Sequence, residues 1–299
     1  MIKKEDTKKK ELAGFTVELD KFLEDARQSP YAQALRESDL AIKLEKDDLQ
    51  FSWGKAVLFY DDPSKVVSTS LQDGRHMALD LKKELDETQQ ELLIISPYFV
   101  PGDHFTAYLT GLVKKGIKVR ILTNSLAAND VSIVFAGYKG YRWDLVRGGV
   151  ELYEFKPLLT KEERKKEDKQ EDKKWIGSSR ASLHAKSLGF DRQKIFVGSF
   201  NVDPRSVVLN TEMGIIFDNE HYAQKLGKGF EEKILTQAYK LKIKEIPSDD
   251  ALMDSPVLAL EWVTMEDGKE VRYDNEPETS WWLRFMTGLM ALLPLESQL

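Results

Sequence analysis

The chain reads as an α/β protein built on a mixed, mostly parallel β-sheet flanked by helices. Two observations lead there. Between Glu91 and Phe155, short apolar runs alternate with helix-length amphipathic segments in the order strand, helix, strand, helix, strand, and right-handed crossovers make such strands parallel. From Leu183 onward, two strand-like runs flank the turn D-R-Q-K at 191–194, which reads as a hairpin.

Residues Lys9 to Leu49 carry charged helical segments, with Phe15, Leu19, Phe22 and Leu23 on a helical period. They read as a solvated lead-in. Phe51 to Tyr60 turns strand-like and stops at Asp61-Asp62-Pro63, so a globular unit begins there. Arg75 to Gln90 has helical spacing, and Glu91 to Ser96 (E-L-L-I-I-S) is a buried strand closed by Pro97. Asp103 is placed to cap a helix over His104 to Lys115. Lys118 to Thr123 is the second strand, Val131 to Arg147 a helix ended by Gly148-Gly149, and Val150 to Phe155 the third strand. Thr160 to Lys174 holds seven Lys or Arg against six Asp or Glu, a polyampholyte suited to an exposed loop. Glu212 to Phe217 is a further strand, followed by a helix from Asn219 to about Lys240. Leu258 to Val263 and Glu270 to Tyr273 flank a D-G hairpin turn. The tail predicts a helix from Ser280 to Leu293, with Arg284, Thr287, Gly288 and Ala291 on one narrow face. Paired tryptophans Trp281 and Trp282 beside Arg284 suit a membrane interface, and docking on the protein's own core competes with that reading. The domain reading is 1–50 helical lead-in, 51–275 the main lobe, and 276–299 the amphipathic C-terminal helix.

Composition narrows the chemistry. The 299 residues allow one large or two small domains, and the net charge of −6 offers nucleic acid no global attraction. With no cysteine there is no disulfide, thiolate nucleophile or zinc-thiolate site, and four histidines argue against a histidine-rich metal centre. No secretory signal is readable at the start, and no stretch approaches the roughly 20 apolar residues that span a bilayer.

The chemistry-bearing stretch is Ser182 to Glu212, where His184, Lys186, Asp191, Gly198, Ser199 and Asn201 stand at H-x-K-x4-D-x6-G-S-x-N. A strand over Leu183 to Phe190 aims residues 184 and 186 to one side. Histidine can act as nucleophile or proton donor near neutral pH, and lysine supplies a point charge for a phosphate oxygen. Ser199 and Asn201 add neutral donors for phosphate binding beside Lys186. Asp191 belongs to the motif, and as the opening residue of a turn it reads as a structural hydrogen-bonding residue. Glu212 is the candidate carboxylate that orients the imidazole. Loops at the carboxyl ends of parallel strands form ligand sites, which adds Ser96, Tyr98, Asn124, Asn129 and Asp130 as candidate pocket residues; turn and cap chemistry explains them equally well.

These motifs are those of the phospholipase D superfamily. Further phrases resemble bacterial cardiolipin synthases of the C type: I-S-P-Y-F-V-P at 95–101, I-L-T-N-S-L-A-A-N-D-V at 121–131, A-S-L-H-A-K at 181–186, V-G-S-F-N-V-D-P-R-S at 197–206 and S-W-W-L-R-F-M at 280–286. The resemblance runs from about Leu49 to the end. It implies a phospholipase D-like lobe performing phosphatidyl transfer through a phosphohistidine, with His184, Lys186, Asp191 and Glu212 as the catalytic set and no metal or other cofactor. Implied partners are phospholipids, phosphatidylglycerol with phosphatidylethanolamine as a candidate second lipid, at the cytoplasmic face of a bacterial inner membrane. Relatives of this type carry two H-x-K motifs in two lobes. This sequence has one: His76, His104 and His221 are followed by M-A, F-T and Y-A. It resembles the C-terminal lobe, which implies a partner, either an N-terminal lobe on another chain or a second copy in a homodimer. Two other readings stay open, a homodimeric nuclease or phosphodiesterase and an inactive C-terminal fragment.

Overall fold

The computed structural model describes residues 15–16, 18–49, 51–67, 76–157, 183–246 and 257–293. The polyampholyte at 160–174 lies outside them. The chain divides into two compact units, Met1–Trp53 and Gly54–Leu299.

In the first unit, helix α1 (residues 18–27) is followed by α2 (Pro30–Arg36) and α3 (Asp39–Glu45). Ser29 and Ser38 cap α2 and α3 by accepting the amides of Ala32 and Ala41, each at 3.2 Å. Phe15, Leu19, Phe22 and Leu23 are all exposed, so the helical period is real but buries little.

The second unit is a ten-stranded sheet with helices on both faces. Its elements are β1 (Lys55–Tyr60), α4 (Met77–Glu87), β2 (Glu91–Ile95), α5 (Gly102–Lys114), β3 (Lys118–Asn124), α6 (Ser132–Lys139), α7 (Arg142–Arg147), β4 (Glu151–Phe155), β5 (Ser187–Phe190), β6 (Lys194–Gly198), α8 (Pro204–Val208), β7 (Met213–Asp218), α9 (Glu220–Gln237), β8 (Ala238–Ile246), β9 (Val257–Glu266), β10 (Lys269–Tyr273) and α10 (Trp281–Met290). The strand order is β1-β7-β6-β5-β2-β3-β4-β8-β9-β10. Alternation along each strand feeds two cores. Leu92, Ile94, Ile121, Leu152, Leu188 and Phe196 pack with α4 to α7 on one face, while Leu93, Leu122 and Tyr153 meet Phe230 and Ile234 of α9 on the other.

The sheet is mixed and flanked by helices, as expected, but its parallel share is smaller than the reading "mostly parallel" requires. Only β2-β3 and β3-β4 pair in parallel; the other seven pairings are antiparallel. The cause is connection length. Helical crossovers join β2, β3 and β4, whereas short turns such as 191–193 and Asp267-Gly268 force antiparallel neighbours.

Three element boundaries also moved. The helix expected over Val131–Arg147 breaks at Gly140 into α6 and α7, which lets Arg142 reach Glu154 at 3.2 Å and Glu276 at 2.9 Å in the interior. The helix expected to reach Lys240 stops at Gln237, because Tyr239, Leu241 and Ile243 alternate with lysines and enter the sheet as β8. Asp103 lies within α5 rather than capping it, Pro101 being the residue at the cap position. The C-terminal helix α10 does dock, through partly buried Leu283 and buried Thr287, yet leaves Trp281, Trp282, Phe285 and Leu289 exposed. Trp281 stacks on Phe285 at 5.3 Å. Among the described residues, no helix is long and apolar enough to cross a membrane.

Candidate active site

The carboxyl ends of β2 and β3 and the adjoining ends of β5, β6 and β7 meet at one end of the sheet. There the motif residues gather. The strand expected from Leu183 begins only at Ser187; 183–186 is irregular. It is held in place by Asn124, whose amide nitrogen donates to the Leu183 carbonyl at 3.2 Å and whose oxygen accepts the Leu183 amide at 3.0 Å. The amide of Gly198 donates to the Lys186 carbonyl at 3.2 Å. His184 and Lys186 therefore converge as expected: Lys186 Nζ stands 3.4 Å from His184 Nε2 and donates to the His184 carbonyl at 3.2 Å. His184 is exposed and Lys186 half-buried. Burial lowers the Lys186 pKa, and the carboxylates of Glu212, Asp203 and Asp130 act against that shift.

Glu212 has a different task from the one expected. Its two oxygens accept the hydroxyls of Ser199 and, at 2.9 Å, Ser206, and not the His184 ring. Two short serines lie closer to this buried carboxylate than the imidazole, which projects to solvent. Ser199 also accepts the Met213 amide at 3.1 Å, so its hydroxyl proton is committed to Glu212 rather than offered as a free donor. Asn201 keeps its capacity. Its buried side-chain oxygen, an acceptor, has no hydrogen-bond partner among the described residues, and its side-chain amide nitrogen is the atom that can donate to a phosphate oxygen.

Gly198 is required by close approach of two backbones, because a Cβ there would sit 2.5 Å from the Met213 carbonyl oxygen and 2.7 Å from Gly214 Cα. Asp191 lies at the far end of β5, roughly 16 Å of extended chain from Lys186. Its carboxylate accepts the amides of Gln89, Gln90 and Glu91, tying the β5–β6 turn to the start of β2. It is a structural residue, and its place in the catalytic set is corrected accordingly.

The candidate pocket residues divide. Tyr98 and Asp130 hydrogen-bond each other at 3.1 Å, and burial, reinforced by Asp130, pushes the Tyr98 phenol up to about 12. Ser96 is buried; it donates to the Tyr98 carbonyl and accepts the Val202 amide, joining two site loops. Asn129 accepts the Val131 amide at 2.8 Å, a turn role. Four residues were missed in the sequence. Asp203 caps α8 through the Ser206 amide, which the D-P pair could have announced. Ser206 holds Glu212. Beneath them, Lys65 Nζ donates to Asp61 at 2.6 Å and to the Ser206 carbonyl at 2.8 Å, while Asp61 accepts the amides of Glu212 at 2.9 Å and Met77 at 2.7 Å. The i,i+4 spacing of Asp61 and Lys65 is local, but nothing in the sequence signals that the pair is buried beneath Glu212.

The chain is similar to several known proteins. The family described as "Cardiolipin synthase, PLD-like domain" matches residues 81–234. Cardiolipin synthase C of Escherichia coli is 38% identical over 274 residues, covering 91% of this chain and 54% of that protein. An uncharacterized protein of Helicobacter pylori is 28% identical over 257 residues, 86% of this chain and 46% of its own length. The chain thus spans about half the length of the curated relatives it matches. Among solved structures, the phospholipase D family member Nuc of Salmonella typhimurium aligns with TM-score 0.44 and 12% identity, over 64% of this chain and 99% of that one. With the family match covering just over half of its residues and enclosing the His184–Lys186 site, the chain belongs to the phospholipase D-like domain family of cardiolipin synthases.

Proposed function

We propose that this chain is the C-terminal half of a cardiolipin-synthase-like phosphatidyltransferase whose active site is completed by a second lobe. The observation that carries the reading is the His184–Lys186 pair, 3.4 Å apart just before β5 at the open end of the sheet. In the chemistry that follows, one imidazole attacks phosphorus, and the P–O bond to the head-group alcohol of the donor phospholipid breaks. The second imidazole gives that alcohol its proton. The hydroxyl of an acceptor phospholipid then attacks the phosphohistidine and returns a proton to the second imidazole. His184 supplies one of the two rings, in the acid role by resemblance, and Lys186 balances charge on the phosphoryl oxygens. Asn201 is the neutral phosphate-binding group, Ser199 the link to Glu212, and Asn124, Ser206 and Glu212 are positioning residues.

A second ring must come from elsewhere. His76 occupies the N-cap position of α4 in the interior, His221 follows β7 at the end opposite Met213, and His104, on α5, lines the apolar cavity between α4, α5 and α8 and makes no hydrogen bond to His184 or Lys186. Beside the site, Leu58, Tyr60, Val197, Met213 and Ile215 share one sheet face through the pairs Leu58↔Ile215, Val197↔Ile215 and Tyr60↔Met213. Each is 43–58% exposed. An apolar strand face of that kind supports docking of a second lobe, either an N-terminal lobe on another chain or a second copy. Peripheral attachment to the cytoplasmic membrane surface, with phosphatidylglycerol as donor, is part of the same proposal, and the exposed Trp281, Trp282 and Phe285 supply the contact.

The test is mass spectrometry of lipids formed from phosphatidylglycerol vesicles by the chain, alone and with a lobe carrying a second H-x-K motif. Cardiolipin is expected in the complemented reaction and is lost by His184→Ala. Unchanged cardiolipin from the variant would refute the assignment.

A further inference from the structure

On the sheet face that carries the larger core, α4, α5 and α8 leave a cavity of about 510 Å³. Leu81, Leu85, Leu188 and Val202 form its buried wall, and Leu79 and Val208, which also line it, are exposed. Its size is that of a small-ligand pocket, ~300–1,000 Å³, and its lining is mainly aliphatic and aromatic.

The cavity adjoins the active site through a single stretch of chain. Ser199 is bound to Glu212, whose charge acts on Lys186, and the Asn201 amide donates to Ser206, while their neighbours Phe200 and Val202 line the cavity. Asp203 serves both sides: it lines the cavity and lies near enough to Lys186 to act on its charge. A single thickness of chain is a wall roughly 5 Å across. A ligand that spans such a wall carries a phosphodiester at one end and a hydrocarbon chain at the other, which is the build of a diacyl phospholipid. A nucleic acid carries no hydrocarbon chain to fill a compartment lined mainly by aliphatic side chains.

We infer that the cavity between α4, α5 and α8 is an acyl-chain site for the phospholipid whose phosphodiester sits at His184 and Lys186. The inference rests on the proposed function for the identity of the polar end only. Each buried methylene contributes about a fourfold gain in binding, so shortening the chain by two carbons weakens binding by on the order of tenfold.

Photolabelling tests this directly. The probe is phosphatidylglycerol with a diazirine near the end of one acyl chain, presented in detergent micelles to the full-length His184→Ala protein, so that labelling is read without turnover. Adducts are expected on the α4 and α8 peptides. They fall at least tenfold in Ala78→Trp, whose indole fills the cavity; Val207→Trp is the second filling variant, and the one that keeps the parent melting temperature carries the comparison. Adducts confined to α10, or scattered over the surface, overturn the inference whether or not either variant folds. So does undiminished labelling of a folded filling variant. If wild-type protein makes no cardiolipin with any partner lobe while adducts still fall on α4 and α8, the proposed function fails and the acyl site stands.

Discussion

Replacing Lys65 by Met tests whether the site rests on a buried ion pair. The Lys65 and Asp61 side chains are fully enclosed, 2.6 Å apart. Asp61 also accepts the amides that begin α4 (Met77) and position Glu212, and Lys65 holds the carbonyl of Ser206. Removing the ammonium leaves a carboxylate in the interior with two amide donors and no cation. Breaking a buried pair from one side costs about 3–5 kcal/mol, since the remaining charge has lost both water and partner. For a unit of this size that corresponds to a melting temperature lower by on the order of 10 °C. The double variant Asp61→Asn/Lys65→Met removes both charges, keeps an acceptor for one amide, and is expected to recover at least half of the loss. Urea titration of the four proteins in the cycle measures the coupling. A Lys65→Met loss under ~1 kcal/mol, or a double variant no more stable than Lys65→Met, refutes the assignment of Lys65 and Asp61 as the support beneath Glu212.

Two further outcomes follow from the same structure. Asp191→Ala removes the acceptor of three backbone amides and lowers stability by about 1–3 kcal/mol, with the transfer rate per folded molecule unchanged; a rate loss beyond tenfold at full folding would restore Asp191 to the chemical machinery. Glu276 gives the acid dependence. Burial opposes its ionisation, but Arg142 at 2.9 Å and Lys139 at 3.1 Å outweigh that and lower its pKa from 4.5 to about 2. A carboxylate depressed in the folded state stabilises fully above its unfolded pKa, so this contribution, on the order of 3 kcal/mol, holds above about pH 4.5 and disappears as pH falls through about 2. Glu276→Gln is expected to be less stable than wild type at pH 7, with the difference closing between pH 4.5 and 2 in denaturant titrations. A pH-independent difference would show that Arg142 is held by Glu154 alone.

What was legible in the sequence was whatever depends on near neighbours. His184 and Lys186 two apart, the Asp191 turn and the β2-α5-β3 alternation follow from local chain geometry, and all three are present. What failed depends on distant competition. Glu212 is 28 positions from His184, and a carboxylate that far along the chain takes whichever donors the fold brings nearest, here Ser199 and Ser206. Lys65 reaches Ser206 across 141 positions. No spacing rule covers that distance, and a lysine after D-D-P looks like any solvated turn lysine. The Y-K-L-K-I-K alternation of β8 was readable, but it followed a long helical period without a Gly or Pro to mark the change.

The end of the sheet that carries His184 lies between two apolar surfaces of different shape, and the difference separates their uses. On one side the cavity is a concave groove with a floor of buried Leu81, Leu85, Leu188 and Val202 and an exposed rim at Leu79 and Val208, a shape that suits a flexible chain. On the other, Leu58, Tyr60, Val197, Met213 and Ile215 stand on open strands with no enclosing wall, so a mobile hydrocarbon would remain wet there while a second protein face would cover them together. His184 is exposed at the boundary. In this reading the lipid's hydrocarbon is held within this chain, and the missing imidazole arrives from across the strand face, so that neither half holds both the substrate and the complete pair of histidines.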